Sequence, residues 1–119
     1  MDTIPAYGLR RMVVPDLTLR RAQKMVDEWV QTQGGYWSSL AIMVQIAEET
    51  GEVARLINHL GGEKLKKTQE PEQDLGMELC DLLYAMICLA NLHGVDLQAS
   101  FEAVMAKYVT RDDGRFLNQ

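Results

Sequence analysis

Six apolar residues, Ile42, Ile46, Val53, Leu56, Ile57 and Leu60, recur at the period of an α-helix, and a carboxylate, Glu49, falls inside their stripe. At about 100° per residue these side chains share one face, the face a helix turns toward its core. A carboxylate there is costly without a partner, so a positive group is expected beside it. Glu52 follows Glu49 by one short turn on the flank of the stripe, and Glu48 precedes Glu52 by four residues. All three aim at one neighbourhood. Taken alone, this spacing also describes an ordinary acidic helix face in water.

A second acidic pair weakens that reading. Glu78 and Asp81 lie in the run Glu78-Leu79-Cys80-Asp81, again set into an apolar helix whose stripe is Leu75, Leu79, Leu82, Met86 and Leu89. If the two helices pack antiparallel, four or five carboxylates converge. Like charges held that close take up protons or bind a cation. Oxygen ligands without His or Cys suit Mg²⁺ or Mn²⁺ rather than zinc or copper.

The rest of the chain reads as more helix. Apolar residues make up 47% of the sequence and aromatic residues 7%, a Leu, Met, Val and Ala composition that favours helices over a β sandwich. Asp16 or Thr18 caps a first helix carrying Leu17, Leu19, Ala22, Met25, Val26, Trp29 and Val30, which ends at Gly34-Gly35. A Ser caps a second helix over about 39–60, closed by Gly61-Gly62. Pro71 suits the first turn of a third, running to about Leu92, and Asp96 caps a fourth with Leu97, Phe101, Val104, Met105 and Tyr108 on one face. The third helix is apolar on most of its circumference and needs more cover than one copy of a 119-residue chain supplies. The expected fold is therefore all-α, a four-helix protomer forming an oligomeric helical bundle. Residues 1–15 read as an irregular arm, 16–110 as the domain and 111–119 as a mixed-charge tail.

Composition and spacing exclude several chemistries. A formal charge of −5 lacks the basic face that binding a nucleic acid duplex requires. The apolar run Leu82 to Ala90 is far short of a membrane span, and the N-terminus lacks the order of a signal peptide, so the expected setting is the cytoplasm. Cys80 and Cys88 lie about 12 Å apart along a helix, too far for a disulfide. A di-iron bundle needs Glu-x-x-His, but the residues three before His59 and His93 are Leu56 and Ala90. Both histidines sit at helix ends and read as capping groups. There is no Gly-rich phosphate loop, no dinucleotide fingerprint and no Gly-x-Ser-x-Gly elbow.

Glu48-Glu49-x-x-Glu52 followed after 25 residues by Glu78-x-x-Asp81 resembles the signature of the MazG-type, all-α nucleoside triphosphate pyrophosphohydrolases, relatives of the dimeric dUTPases and dCTP pyrophosphatases. The run Tyr36-Trp37-Ser38-Ser39-Leu40, the loop Gly62-Glu63-Lys64 and the segment Lys107-Tyr108-x-x-Arg111 extend the resemblance over most of the chain. It implies hydrolysis of a nucleoside triphosphate between the α and β phosphates, with Mg²⁺, or Mn²⁺ in its place, held by Glu49, Glu52, Glu78 and Asp81. Glu48 matches the remaining motif glutamate, and it orients or deprotonates the attacking water or completes a further metal site. Lys107, Arg111, Lys64, Lys67 and Arg115 are the candidates for the distal phosphates. Tyr36 and Trp37 are candidates for stacking on the base, or for a packed subunit contact. No residue is assignable to reading a base edge. The family also implies a homodimer or homotetramer and a role in clearing surplus nucleotides. The rival from another class is a non-catalytic helical oligomer that binds nucleotide or metal as a regulatory subunit.

Overall fold

The structure, a computed structural model, describes residues 16–61 and 74–112. All regular structure among them is helical: α1 spans Leu19–Thr32, α2 Ser39–Leu60, α3 Leu75–Leu92 and α4 Leu97–Asp112. The arm 1–15, Pro71, the lysines Lys64 and Lys67, and Arg115 lie outside the described residues.

Each helix begins on a side chain that accepts from otherwise unpaired backbone N–H groups. Thr18 Oγ1 accepts from Arg21 N at 3.0 Å, Ser38 Oγ from Ala41 N at 3.2 Å, and Asp96 Oδ1 from Ala99 N at 3.2 Å. Asp74 Oδ1 accepts from both Gly76 N and Met77 N, at 2.7 and 3.3 Å. That cap places the start of α3 at Leu75, four residues later than Pro71 suggests, because Asp74 offers the first turn what a proline only tolerates. Thr18, not Asp16, caps α1, and Leu17 stays outside the helix, half exposed. α1 ends where Gly34 and Gly35 take φ of +97° and +101°, a region that disfavours any side chain. α3 ends in a tight reversal, with Val95 N donating to Ala90 O at 2.8 Å across Gly94 at φ +67°.

α3 is the central element. It packs most extensively on α2 and then on α1, while α4 packs on α1. Ser39 Oγ, at the start of α2, lies 2.6 Å from His93 Nε2, at the end of α3, whereas mid-α2 meets the first turns of α3. The two helices are therefore antiparallel. His93 thus ties α3 to α2 with its ring, while its backbone N–H closes the helix end.

The core is small. Val30, Ile42 and Cys88 are buried together, with Val26, Trp29, Tyr36, Ile46, Tyr84 and Leu89 packed around them. Ala85 on α3 is fully buried. Of the α2 stripe, Ile42 and Leu56 are buried, but Ile57 and Leu60 are exposed. Leu40, at 75% exposure, and Met43 and Val44 join them, and α4 displays Phe101, Val104, Met105, Tyr108 and Val109. A chain that leaves this much apolar surface uncovered matches the excess read from the third helix. By length and composition α3 would suffice to cross a membrane, with 18 residues of mean hydropathy 1.5, yet it carries Glu78 and Asp81 and packs along both α1 and α2.

Candidate functional site

Glu49 on α2 and Glu78 and Asp81 on α3 converge. Each offers a carboxylate oxygen, and these oxygens all lie within 4.8 Å of one another, with Glu49 and Glu78 half-buried and Asp81 exposed. The sequence dictates this placement. Glu49 falls three residues after Ile46 and seven after the buried Ile42, so it faces α3. Glu78, Asp81, Ala85 and Cys88 follow one another at three- and four-residue steps along the face of α3 toward α2. Asp74 sets the phase of that face by fixing where α3 begins. Glu78 also lies in the first turn of α3, where unpaired N–H groups and the helix dipole favour negative charge.

The electrostatics record the crowding. The Glu49 carboxyl is pushed above its ordinary range, first because packing strips it of water and then by repulsion from Asp81, Glu78, Glu52 and Glu48 in that order. The four other acids of the two motifs are thus close enough to be felt at the Glu49 carboxyl. Glu52 and Glu48 are more exposed and stand outside the tight group of three. Glu48 borders a shallow hollow on α2 with Trp37, Leu40 and Val44. A set of hard oxygen donors, mutually repelled and free of His and Cys, fits a divalent cation of the Mg²⁺, Mn²⁺ or Ca²⁺ kind.

One turn along the same α2–α3 seam lies a second cavity, of about 260 Å³, bordered by Tyr36, Trp37, Ile42, Gln45, Tyr84 and Cys88. Gln45 precedes Glu49 by four residues and Tyr84 follows Asp81 by three, so cavity and carboxylates share one groove. Tyr36 is a fixed wall. Its hydroxyl donates to Asp27 Oδ1 at 2.6 Å and accepts from Asn91 Nδ2 at 3.0 Å. Burial and then the Asp27 bond hold its pKa far above the ordinary phenol value. Asn91 Nδ2 also donates to Gln23 O, while Gln23 Nε2 donates to Asn91 Oδ1 and Val95 O. This network pins the α1–α2 connection to α3. Trp37, next in sequence, stays 64% exposed at the cavity mouth. Tyr84 is pushed up to about 12 by burial, with Cys88 and Trp29 engaging its hydroxyl. Burial likewise raises the Cys88 thiol, so it is no nucleophile.

Lys107 and Arg111 lie on α4, away from the principal α2–α3 contact, and both approach the Tyr108 ring, at 5.9 and 4.7 Å from its centroid. Sequence reasoning passed over Gln45 and the Gln23–Asn91–Tyr36 network. The spacing of Gln45 from Glu49 was a usable signal, whereas the network joins residues up to 68 positions apart and has none.

Comparison with known proteins agrees with this geometry. Residues 38–116 match the MazG nucleotide pyrophosphohydrolase domain. The chain is 40% identical over 102 residues to YpjD of Bacillus subtilis, an uncharacterised protein, covering 85% of this chain and 92% of that one. A crystal structure of YpjD from Bacillus subtilis, described as a candidate pyrophosphatase, superposes with a TM-score of 0.69 at 38% identity, over 80% of this chain and 98% of that one. The Bacillus-conserved MazG protein, described as a nucleotide pyrophosphohydrolase, superposes with a TM-score of 0.70 at 38% identity, over 85% and 99%. With its paired acidic helices and this match over most of its length, the chain belongs to the MazG family of nucleotide pyrophosphohydrolases.

Proposed function

We propose that this enzyme hydrolyses a (deoxy)nucleoside triphosphate between its α and β phosphates, releasing the monophosphate and pyrophosphate, with Mg²⁺ as the natural ion and Mn²⁺ a substitute. The convergence of Glu49, Glu78 and Asp81 carries the reading. These three, with Glu52 on the flank, would hold the ion. When bound, such an ion neutralises charge on the phosphate oxygens and acidifies coordinated water.

The chain's own residues account for the rest. Glu48, exposed and adjacent in sequence to Glu49, is the candidate to orient or deprotonate the attacking water. Lys107 and Arg111, with Lys64, Lys67 and Arg115, are assigned to the distal phosphates, where long cationic side chains match dispersed negative charge. Tyr36 and Trp37 receive the base, Tyr36 as a rigid wall and Trp37 as the exposed aromatic at the mouth. The exposed apolar faces of α2, α3 and α4 support a homodimer or homotetramer. The setting would be the cytoplasm and the role the removal of surplus nucleotides.

The test is to incubate the chain with ribo- and deoxynucleoside triphosphates plus Mg²⁺ and identify the products. Pyrophosphate with the monophosphate is expected. Orthophosphate as the primary product refutes cleavage at the α–β bond.

A further inference from the structure

Among the polar side chains that border the 260 Å³ cavity, Gln45 stands apart. The Tyr36 hydroxyl is committed to Asp27 and Asn91, and the Tyr84 hydroxyl sits among the packed side chains beside Cys88 and Trp29. Gln33 reaches the cavity from the end of α1, but its Nε2 donates to Thr32 Oγ1 at 3.1 Å. Gln45 is half-buried between α2 and the cavity, and its amide makes no hydrogen bond among the described residues. An amide carries an acceptor oxygen and a two-proton donor nitrogen side by side. Neither atom is sealed from water, so both stay available at the rim of the cavity for a ligand to engage.

The register says which ligand. Gln45 lies one helical turn, about 6 Å along the axis, from Glu49, so a molecule with its phosphates at the carboxylates extends its nucleoside toward Gln45. At about 260 Å³ the cavity falls below the range of roughly 300–1,000 Å³ that whole drug-sized ligands occupy, and so suits one base rather than an entire nucleotide. Its walls are the rings of Tyr36 and Tyr84, with Trp37 at the mouth. Aromatic faces serve any base alike, whereas a glutamine amide pairs side-on with a base edge that sets a donor beside an acceptor.

We infer that Gln45 is the base-reading residue of this enzyme, pairing its side-chain amide with the exocyclic group and neighbouring ring nitrogen of a base seated between Tyr36 and Tyr84. The inference rests on the proposed nucleotide hydrolysis and adds to it the origin of its selectivity. A site that hydrogen-bonds its substrate rejects analogues that leave its polar groups unpaired, so removing the amide weakens that rejection.

The experiment measures kcat/KM for the four deoxynucleoside triphosphates with the wild-type chain, Gln45→Leu, Gln45→Glu and Gln45→Asn, each checked for folding by thermal melting. In Gln45→Leu the ratio of best to worst substrate is expected to shrink by about tenfold or more. In Gln45→Glu, which trades the donor for a second acceptor, the order of preference changes. Gln45→Asn, which retracts the same amide by one methylene, gives a reading even if the larger changes perturb folding. Ratios that stay within about twofold of wild type in every folded variant overturn the assignment, as does a wild-type chain indifferent to the base. A wild-type chain that hydrolyses none of the nucleotides refutes the activity itself, and the inference with it.

Discussion

Glu49 of α2 and Asp81 of α3 hold carboxylate oxygens within 4.8 Å of each other, and Glu78 completes the group, though the two helices are separated in sequence by a long connection. Charge of one sign gathered from two elements is stable only when something opposite joins it. Glu49→Gln and Asp81→Asn should each lower pyrophosphate release at least about a hundredfold, about 2.7 kcal/mol of transition-state stabilisation. Steady-state assays at saturating Mg²⁺ measure this. Wild-type rates in both variants would detach the cluster from the chemistry.

Burial of Glu49, and then the same repulsion, makes the stability of the ion-free protein fall as pH rises above the ordinary carboxylate value. Glu49 has its folded pKa raised above the ordinary 4.5, so between those two values the folded chain holds more protons than the unfolded chain. Stability from this group is complete below the ordinary value and is lost as pH rises through the raised one. Melting temperature in chelator should fall over that window, and Glu49→Gln should flatten the fall.

Divalent ions should reverse the loss, because a ligand bound by the folded state alone stabilises it by mass action. Millimolar Mg²⁺ or Mn²⁺ at neutral pH should raise the melting temperature of wild type and leave a Glu49→Gln/Asp81→Asn double variant nearly unmoved. Differential scanning fluorimetry with and without chelator distinguishes the outcomes.

Tyr36→Phe removes the hydroxyl that joins Asp27 to Asn91 and leaves both half-buried partners short of one bond. The expected cost is about 1–3 kcal/mol of unfolding free energy, measurable by urea denaturation. Its aromatic ring is kept, so the cavity wall survives and activity should fall less than in the carboxylate variants.

Leu40→Glu combined with Phe101→Glu places charge on two of the exposed apolar faces. Light scattering should find the wild-type chain as a multimer and this variant shifted toward monomer. A wild-type chain that is monomeric at micromolar concentration would contradict the proposed assembly.

Local rules carried the fold. The boundaries of α2 were legible because Ser38 and the glycines after Leu60 punctuate a strong helical period, and Asp96 announced α4 in the same way. α3 begins late because the decisive cap is Asp74, whose contribution outweighs the proline nearby. The exposure of Ile57 and Leu60 was illegible, since periodicity tells which residues share a face but not whether one chain suffices to cover it. At the site, Glu49, Glu78 and Asp81 could be paired in advance because carboxylates inside apolar stripes have few ways to be satisfied. Gln45 gave a weaker signal: its four-residue spacing from Glu49 was visible, but a glutamine near an apolar stripe is unremarkable until its neighbours' hydrogen bonds are known to be taken.

Ala85 lies four residues beyond Asp81 on the same face of α3 and is wholly enclosed. On the stretch of α3 that follows Asp81 the packing is therefore fitted to a methyl group. A bulkier residue there, such as valine, would prise the helices apart like a shim and widen the carboxylate cage without altering a single ligand, tilting its choice of ion toward larger radii. Discrimination between metals would then be written into the packing of this protein rather than into its donor atoms.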